Sequence, residues 1–182
     1  MKRLVNGEDA ALEELMSRHA EKLFRYLIRV LQNETRASDL TEETFVKVYQ
    51  NRMKFRASHR FAAWLYTIAT NLARDAQRYQ ARHPHVPLES KTDGAISDFR
   101  ERLAGTGPNP AESLESVERG EAVRRAVAVL PDELRVPLVL SVYEEKSHLE
   151  IAEILQCSAK AVEMRLYRAR NELRAALERV LA

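Results

Sequence analysis

Between Arg52 and Arg82 the chain carries Arg52, Lys54, Arg56, Arg60, Arg74, Arg78 and Arg82 against Asp75 alone, in a protein whose net charge is only +2. Cations at this density suit a polyanion, because each can neutralise a phosphate and release its counterion. Charge alone would suit a solvated face equally well, so the neutral residues among the bases carry more information. Tyr66, Thr67, Thr70, Asn71 and Gln77 supply a stacking ring, hydroxyls and amides, groups that bind bases rather than phosphates. A second set, Lys160, Glu163, Met164, Arg165, Tyr167 and Arg168, again mixes cations with residues able to touch base edges. Groups for bond-making chemistry are missing. His83 and His85 have no further ligand cluster at metal-binding spacing, and there is no glycine-rich phosphate loop or nucleophile elbow. The expectation is a binding protein, not an enzyme, with no catalytic, cofactor or metal site.

Helices must position these groups. Hydrophobic residues make up 45% of the chain and charged residues 31%, with 5 glycines and 6 prolines. Apolar residues recur at steps of three and four, and no stretch alternates long enough for a sheet, so the class is all-α. A first helix is expected from Asp9 to Gln32, with Leu12, Leu15, Met16, Leu23, Leu27, Val30 and Leu31 on one stripe. A second should begin near Ala37, capped by Ser38 or Thr35, with Asp39, Glu42 and Glu43 favouring its positive end and forming an exposed acidic edge. A third runs from Phe61 to Arg82. Its buried stripe is Phe61, Leu65, Ile68, Leu72 and Ala76, which leaves Tyr66, Thr67, Thr70, Arg74, Gln77 and Arg78 facing outward. Pro84 ends it.

From His83 the helical pattern lapses among Pro84, Pro87, Pro108, Pro110 and three glycines, with one short helix expected around Ile96 to Leu103. The reading is two small helical domains, residues 1–82 and 113–182, joined by a flexible linker at 83–112. Residues 83–121 carry four bases and eight acids, so the connector is acidic beside a basic domain.

In the second domain a helix is expected up to Leu130, then another from Pro131 to Tyr143 that Pro137 could bend. Residues 147–170 read as a helix-turn-helix. Ile151, small Ala152 and Leu155 form the packing face of the first helix, Gln156-Cys157-Ser158 the turn, and Ser158 a cap for the second helix. Val162, Leu166, Ala169 and Leu173 point inward. Lys160, Met164, Tyr167 and Asn171 occupy the outward centre, flanked by Glu163, Arg165 and Arg168, a face that can enter a major groove.

Taken together, Ser38-Asp-Leu-Thr-Glu-Glu-Thr-Phe45, Phe55-Arg through Trp64-Leu-Tyr to Asn71, and the segment from Leu130-Pro131 through Ile151-Ala-Glu-Ile-Leu155 to Arg165-Leu-Tyr-Arg168-Ala-Arg170 resemble the extracytoplasmic-function group of sigma-70-type sigma factors. The resemblance implies that the first domain is sigma-2-like and binds the polymerase clamp through Asp39, Glu42 and Glu43. It implies minus-ten recognition and melting, with an extruded base, by Lys54, Arg56, Tyr66, Asn71, Arg74 and Arg78. The second domain would be sigma-4-like and read minus-thirty-five DNA through Lys160, Glu163, Met164, Arg165, Tyr167 and Arg168. Implied partners are core RNA polymerase, promoter DNA as duplex and as melted single strand, and an anti-sigma factor. Three departures stand out. Glu163-Met164 stands where the family often has a basic or hydroxyl pair. Glu42 replaces the glutamine of the clamp-binding signature. Gln156 stands where the family often has glycine, at a cost of about 1 kcal/mol if its φ is positive. The rival reading is a helix-turn-helix regulator whose N-terminal half is a sensing or dimerisation bundle.

No apolar run approaches the ~18 residues that span a bilayer, and the N-terminus does not read as a secretory signal. The single Cys157 fits a reducing compartment. A cytoplasmic protein without membrane insertion is expected.

Overall fold

The computed structural model describes residues 1–56, 60–83 and 114–181. Eight α-helices and one 3₁₀ turn, with no strand, account for the ordered elements among them. They are α1 (Lys2–Val5), α2 (Ala10–Leu31), α3 (Glu34–Gln50), the 3₁₀ turn Arg52–Lys54, α4 (Phe61–Arg82), α5 (Leu114–Ala128), α6 (Asp132–Val142), α7 (His148–Leu155) and α8 (Ala159–Leu181). The expected helix around Ile96 to Leu103, the connector beyond His83, and His85 lie outside the described residues.

Local chemistry explains most boundaries, and two differ from expectation. Helix α3 begins at Glu34, because the Asn33 side chain accepts from the Arg36 N–H at 2.9 Å and caps it. Neither Thr35 nor Ser38 is the cap; Ser38 is buried inside the helix. Asp39, Glu42 and Glu43 therefore lie mid-helix, beyond the first turn where the helix dipole acts. The short α1 was not expected, yet Leu4 on it is fully buried. At α7 the Ser147 hydroxyl accepts from the Glu150 N–H while the Glu150 carboxylate accepts from the Ser147 N–H, a complete capping box. Ser158 caps α8 as expected, its Oγ accepting from the Ala161 N–H at 3.1 Å.

Leu23, Leu27 and Val30 of α2 pack with Leu40, Phe45 and Val48 of α3 and with Leu65, Ala69 and Ala73 of α4. The C-terminal helices gather around α6, in which every residue from Leu134 to Leu140 is buried, Pro137 included. A helix buried all round needs partners on several sides. Helices α7 and α8 provide some, and α2 provides another, so the two halves pack directly on each other. Helix α7 also packs on α4.

Helix α4 is rotated from the expected orientation. Its fully buried residues are Ala63, Leu65, Tyr66, Ala69, Thr70 and Ala73, whereas Phe61, Ile68, Leu72 and Ala76 are only half-buried. Three alanines lie innermost together with Leu65, Tyr66 and Thr70, while Phe61, Ile68, Leu72 and Ala76 line the border. Tyr66 and Thr70 are thereby turned inward, correcting the outward placement read from periodicity. The Thr70 hydroxyl donates to the Tyr66 carbonyl at 2.6 Å. Its oxygen then accepts from the Tyr26 hydroxyl at 2.7 Å. The Tyr66 hydroxyl donates to Glu144 at 2.5 Å, across the seam between the halves. Burial first, and for Tyr66 also the bond to Glu144, pushes both phenols well above the ordinary tyrosine range.

Two predictions follow from this packing. Gln156, which ends α7, has φ 52°, so Gln156→Gly should relieve left-handed strain and stabilise the fold by about 0.5–1 kcal/mol. Thermal melting should rise by roughly 1–4 °C; a fall would mean that the glutamine side chain has an offsetting role. The two raised phenol pKa values stabilise the fold fully below about pH 10, where tyrosine is neutral in both states. Above that the unfolded state ionises first, so stability falls as pH rises. A Tyr66→Phe variant should lose none of the phenolate absorbance that develops before alkaline unfolding.

Candidate nucleic-acid interface

Tyr66 apart, the residues expected at minus-ten DNA line one side of α4 and the loop before it. Trp64, Thr67, Asn71, Arg74, Arg78 and Arg82 recur at steps of three and four, so they share a face. Asn71, Arg78 and Arg82 are exposed, and Thr67 and Arg74 are half-buried. Lys54 and Arg56 are exposed on the approach to the helix. Phe55 between them packs against Trp64, ring centroids 5.2 Å apart, and against Phe61 at 6.4 Å. His19 of α2 meets Phe61 edge-on at 5.1 Å. This cluster anchors one end of the basic loop to α4, and Trp64 accordingly packs as much as it faces outward. Of the bases here, Arg78 is paired with Asp75 at 3.4 Å.

On α3, Glu43 is exposed while Asp39 and Glu42 are half-buried, so the expected acidic edge is only partly open to solvent. Val46 lies on the same face and is 51% exposed. An apolar side chain beside carboxylates gives this face a mixed character suited to a protein partner more than to a nucleic acid.

The helix-turn-helix face matches its sequence pattern. Val162, Leu166 and Ala169 are buried, whereas Met164 and Tyr167 are 44% and 62% exposed. Lys160 and Glu163 form an ion pair at 2.9 Å, which leaves Glu163 partly neutralised. Arg165 is half-buried, its guanidinium reaching the Cys157 sulfur at 3.6 Å, while Arg168 and Asn171 are exposed. Arg168 is thus freer than Arg165 to meet a phosphate.

Sequence reasoning missed the residues that join the two halves. Besides Tyr66 and Glu144, Arg60 meets Glu150 at 2.8 Å, and the Arg29 guanidinium lies 4.3 Å from the centroid of the Tyr143 ring. Lys146 stands 5.4 Å over the Tyr66 ring. Bonds from Ser147, then Arg60, hold the Glu150 carboxyl below the usual carboxylate range. No periodicity reveals partners 78 and 90 residues apart.

Residues 15–83 match the family Sigma-70 region 2, and residues 120–173 match Sigma-70, region 4. The RNA polymerase sigma factor CarQ of Myxococcus xanthus is 32% identical over 174 residues, 96% of this chain and 93% of that protein. The ECF RNA polymerase sigma factor SigW of Bacillus subtilis is 29% identical over 175 residues, 96% of this chain and 92% of that protein. Among solved structures, the complex of the sigma factor RpoE with the anti-sigma factor NepR from Bartonella quintana is similar in fold. It has a TM-score of 0.70 at 22% identity, covering 91% of this chain and 96% of that one. A sensing or dimerisation bundle in the N-terminal half is not favoured, since that half matches region 2. No helix among the described residues is long and apolar enough to cross a membrane. With matches to regions 2 and 4 in order along one chain, the protein belongs to the extracytoplasmic-function group of sigma-70-type sigma factors, which direct RNA polymerase in transcription initiation.

Proposed function

We propose how the labour is divided along the chain. Residues 1–82 act as the sigma-2 domain and residues 113–182 as the sigma-4 domain, with 83–112 as linker. The α3 face of Asp39, Glu42, Glu43 and Val46 docks on core RNA polymerase. Lys54, Arg56, Asn71, Arg74 and Arg78 hold melted minus-ten DNA. Tyr66 joins them only when the second half moves aside, because in the packed arrangement its hydroxyl is occupied by Glu144. Lys160, Glu163, Met164, Arg165, Tyr167 and Arg168 read duplex minus-thirty-five DNA, with Arg168 on phosphate and Met164 and Tyr167 toward base edges.

The observation that carries this reading is the uncovered side of α4, where the exposed Asn71 amide stands among cations beside the basic loop. An unstacked base needs an edge-reading amide, a ring to stack on and cations for its backbone. The protein works by binding alone, without a bond-making step, in the cytoplasm where core polymerase resides. A further partner is an anti-sigma factor, by analogy with the complex of similar fold.

Reversing the exposed charge in Glu43→Lys should weaken core-polymerase binding while leaving helicity and melting temperature nearly unchanged. Equal affinity would remove α3 from the docking surface. Asn71→Ala should slow promoter opening far more than it weakens closed-complex binding, with a loss of roughly 1–3 kcal/mol. Permanganate footprinting with a pre-melted control promoter separates the two steps. Wild-type opening together with wild-type binding of a single-stranded minus-ten oligonucleotide would make Asn71 a packing residue.

A further inference from the structure

Helix α8 carries two large apolar side chains that the core does not use, Met164 and Tyr167. Among the described residues of α8, only these two large apolar side chains are exposed. They stand three residues apart, so they are neighbours on the helix surface. At about 100° per residue, the direction opposite the buried stripe of Val162, Leu166 and Ala169 falls between Met164 and Asn171, with Tyr167 and Lys160 beside them. One exposed apolar residue needs no explanation. An adjacent pair on the crest of a helix that otherwise shows charges does.

The charged residues around the pair are turned aside or engaged. Arg165 is half-buried, and its guanidinium donates to the Cys157 sulfur at 3.6 Å, to one side of the crest. Lys160 pairs with Glu163 at 2.9 Å. Both ends are exposed, so the pair contributes little energy, yet it leaves the local charge near zero. Asn171 stands about 10 Å further along than Met164, past the N-terminal turns with which a recognition helix reaches base edges. The surface that α8 brings first to the floor of a major groove is therefore apolar. A guanine edge offers acceptors there, and adenine and cytosine edges offer an amino group, none of which gains from a thioether or an aromatic ring. Thymine alone presents an apolar group, its 5-methyl. Methionine is unbranched and polarisable, so it can settle over such a methyl from more than one approach.

We propose that Met164 and Tyr167 form a reader for the 5-methyl group of thymine, which makes a thymine within the minus-thirty-five element a specificity determinant for this protein. This rests on the reading of α8 as the minus-thirty-five helix. It also accounts for Glu163-Met164 as a unit. A hydroxyl or a base at 164 would seek a hydrogen-bond partner, whereas Met164 seeks a methyl, and the bond from Lys160 to Glu163 keeps a free cation from taking its place. The selectivity is modest, because one methyl group is all that the pair senses.

The test uses the protein assembled with core polymerase, on a promoter that this holoenzyme selects from a library randomised at the minus-thirty-five element. Each thymine of the selected element is replaced in turn by deoxyuridine, which keeps the base pair and removes only the methyl. One such replacement should weaken closed-complex binding by about fourfold, the worth of burying one methyl group. In Met164→Ala the same replacement should cost nothing further, and in Tyr167→Ala less than in wild type, since two changes in one contact do not add. Met164→Leu should keep most of the wild-type discrimination. Arg168→Ala should bind both promoters more weakly and discriminate as wild type does. Helicity and melting establish that each variant is folded. A selected element without thymine, or one in which no deoxyuridine replacement weakens wild-type binding, would overturn the proposal. A penalty of full size in Met164→Ala would overturn it equally, because another group would then sense the methyl. Failure of the minus-thirty-five assignment itself appears separately, as equal binding to the selected element and to a scrambled one.

Discussion

The hydrogen bond from Tyr26 to Thr70 sets how α4 is rotated against α2, and what the protein shows to a nucleic acid depends on that rotation. Both residues are buried, so neither hydroxyl can turn to water if the bond is broken. Thr70 also donates to the Tyr66 carbonyl, and this fixes the direction of the chain: Tyr26 donates, Thr70 accepts and passes its own proton onward. Ala63, Ala69 and Ala73 are buried on the same helix. With that side of α4 committed inward, Asn71, Arg78 and Arg82 are left outside. Turning the helix by one residue, about 100°, would bring charged side chains of the outer face toward α2 and strand the Tyr26 hydroxyl.

The C-terminal half solves a related problem with different means. Helix α6 is buried from Leu134 to Leu140, and the one charged side chain in that run takes its partners locally. Arg135, 9% exposed, pairs with Asp132 one turn earlier and donates to the Ala128 carbonyl at 2.6 Å. A buried guanidinium without such partners would be costly. Here it ties the end of α5 to the start of α6 across Leu130-Pro131. Capping at Ser147 and Ser158 then defines the two short boundaries that aim α8 outward.

The two halves meet through side chains that also have duties at home. Glu150 caps α7 and holds Arg60; Tyr66 fills the space against Tyr26, rings 5.0 Å apart edge to face, and meets Glu144 with its hydroxyl. Separating the halves would cost the second duty in each case and leave the first in place. Apolar packing runs beneath these contacts, since α6, buried from Leu134 to Leu140, packs on α2 and α7 packs on α4.

Much of this was legible in the residues alone. The Phe61–Arg82 helix, the capped pair around Gln156 and the exposed Met164 and Tyr167 all follow from local signals: period, caps, turn chemistry and the short-range neighbourhood of each side chain. Asn33 as the cap of α3 was a local signal too, passed over for Thr35 and Ser38. The rotation of α4 was not legible, because periodicity ranks residues by hydrophobicity, while the buried face takes in Tyr66 and Thr70 along with three alanines. Tyr66 could be read as outward only so long as its partners were unknown. Tyr26 lies 40 residues before it and Glu144 lies 78 after. Only when the chain has folded back on itself do these three meet, and burial together with the need to satisfy each hydroxyl then decides which way the ring must face.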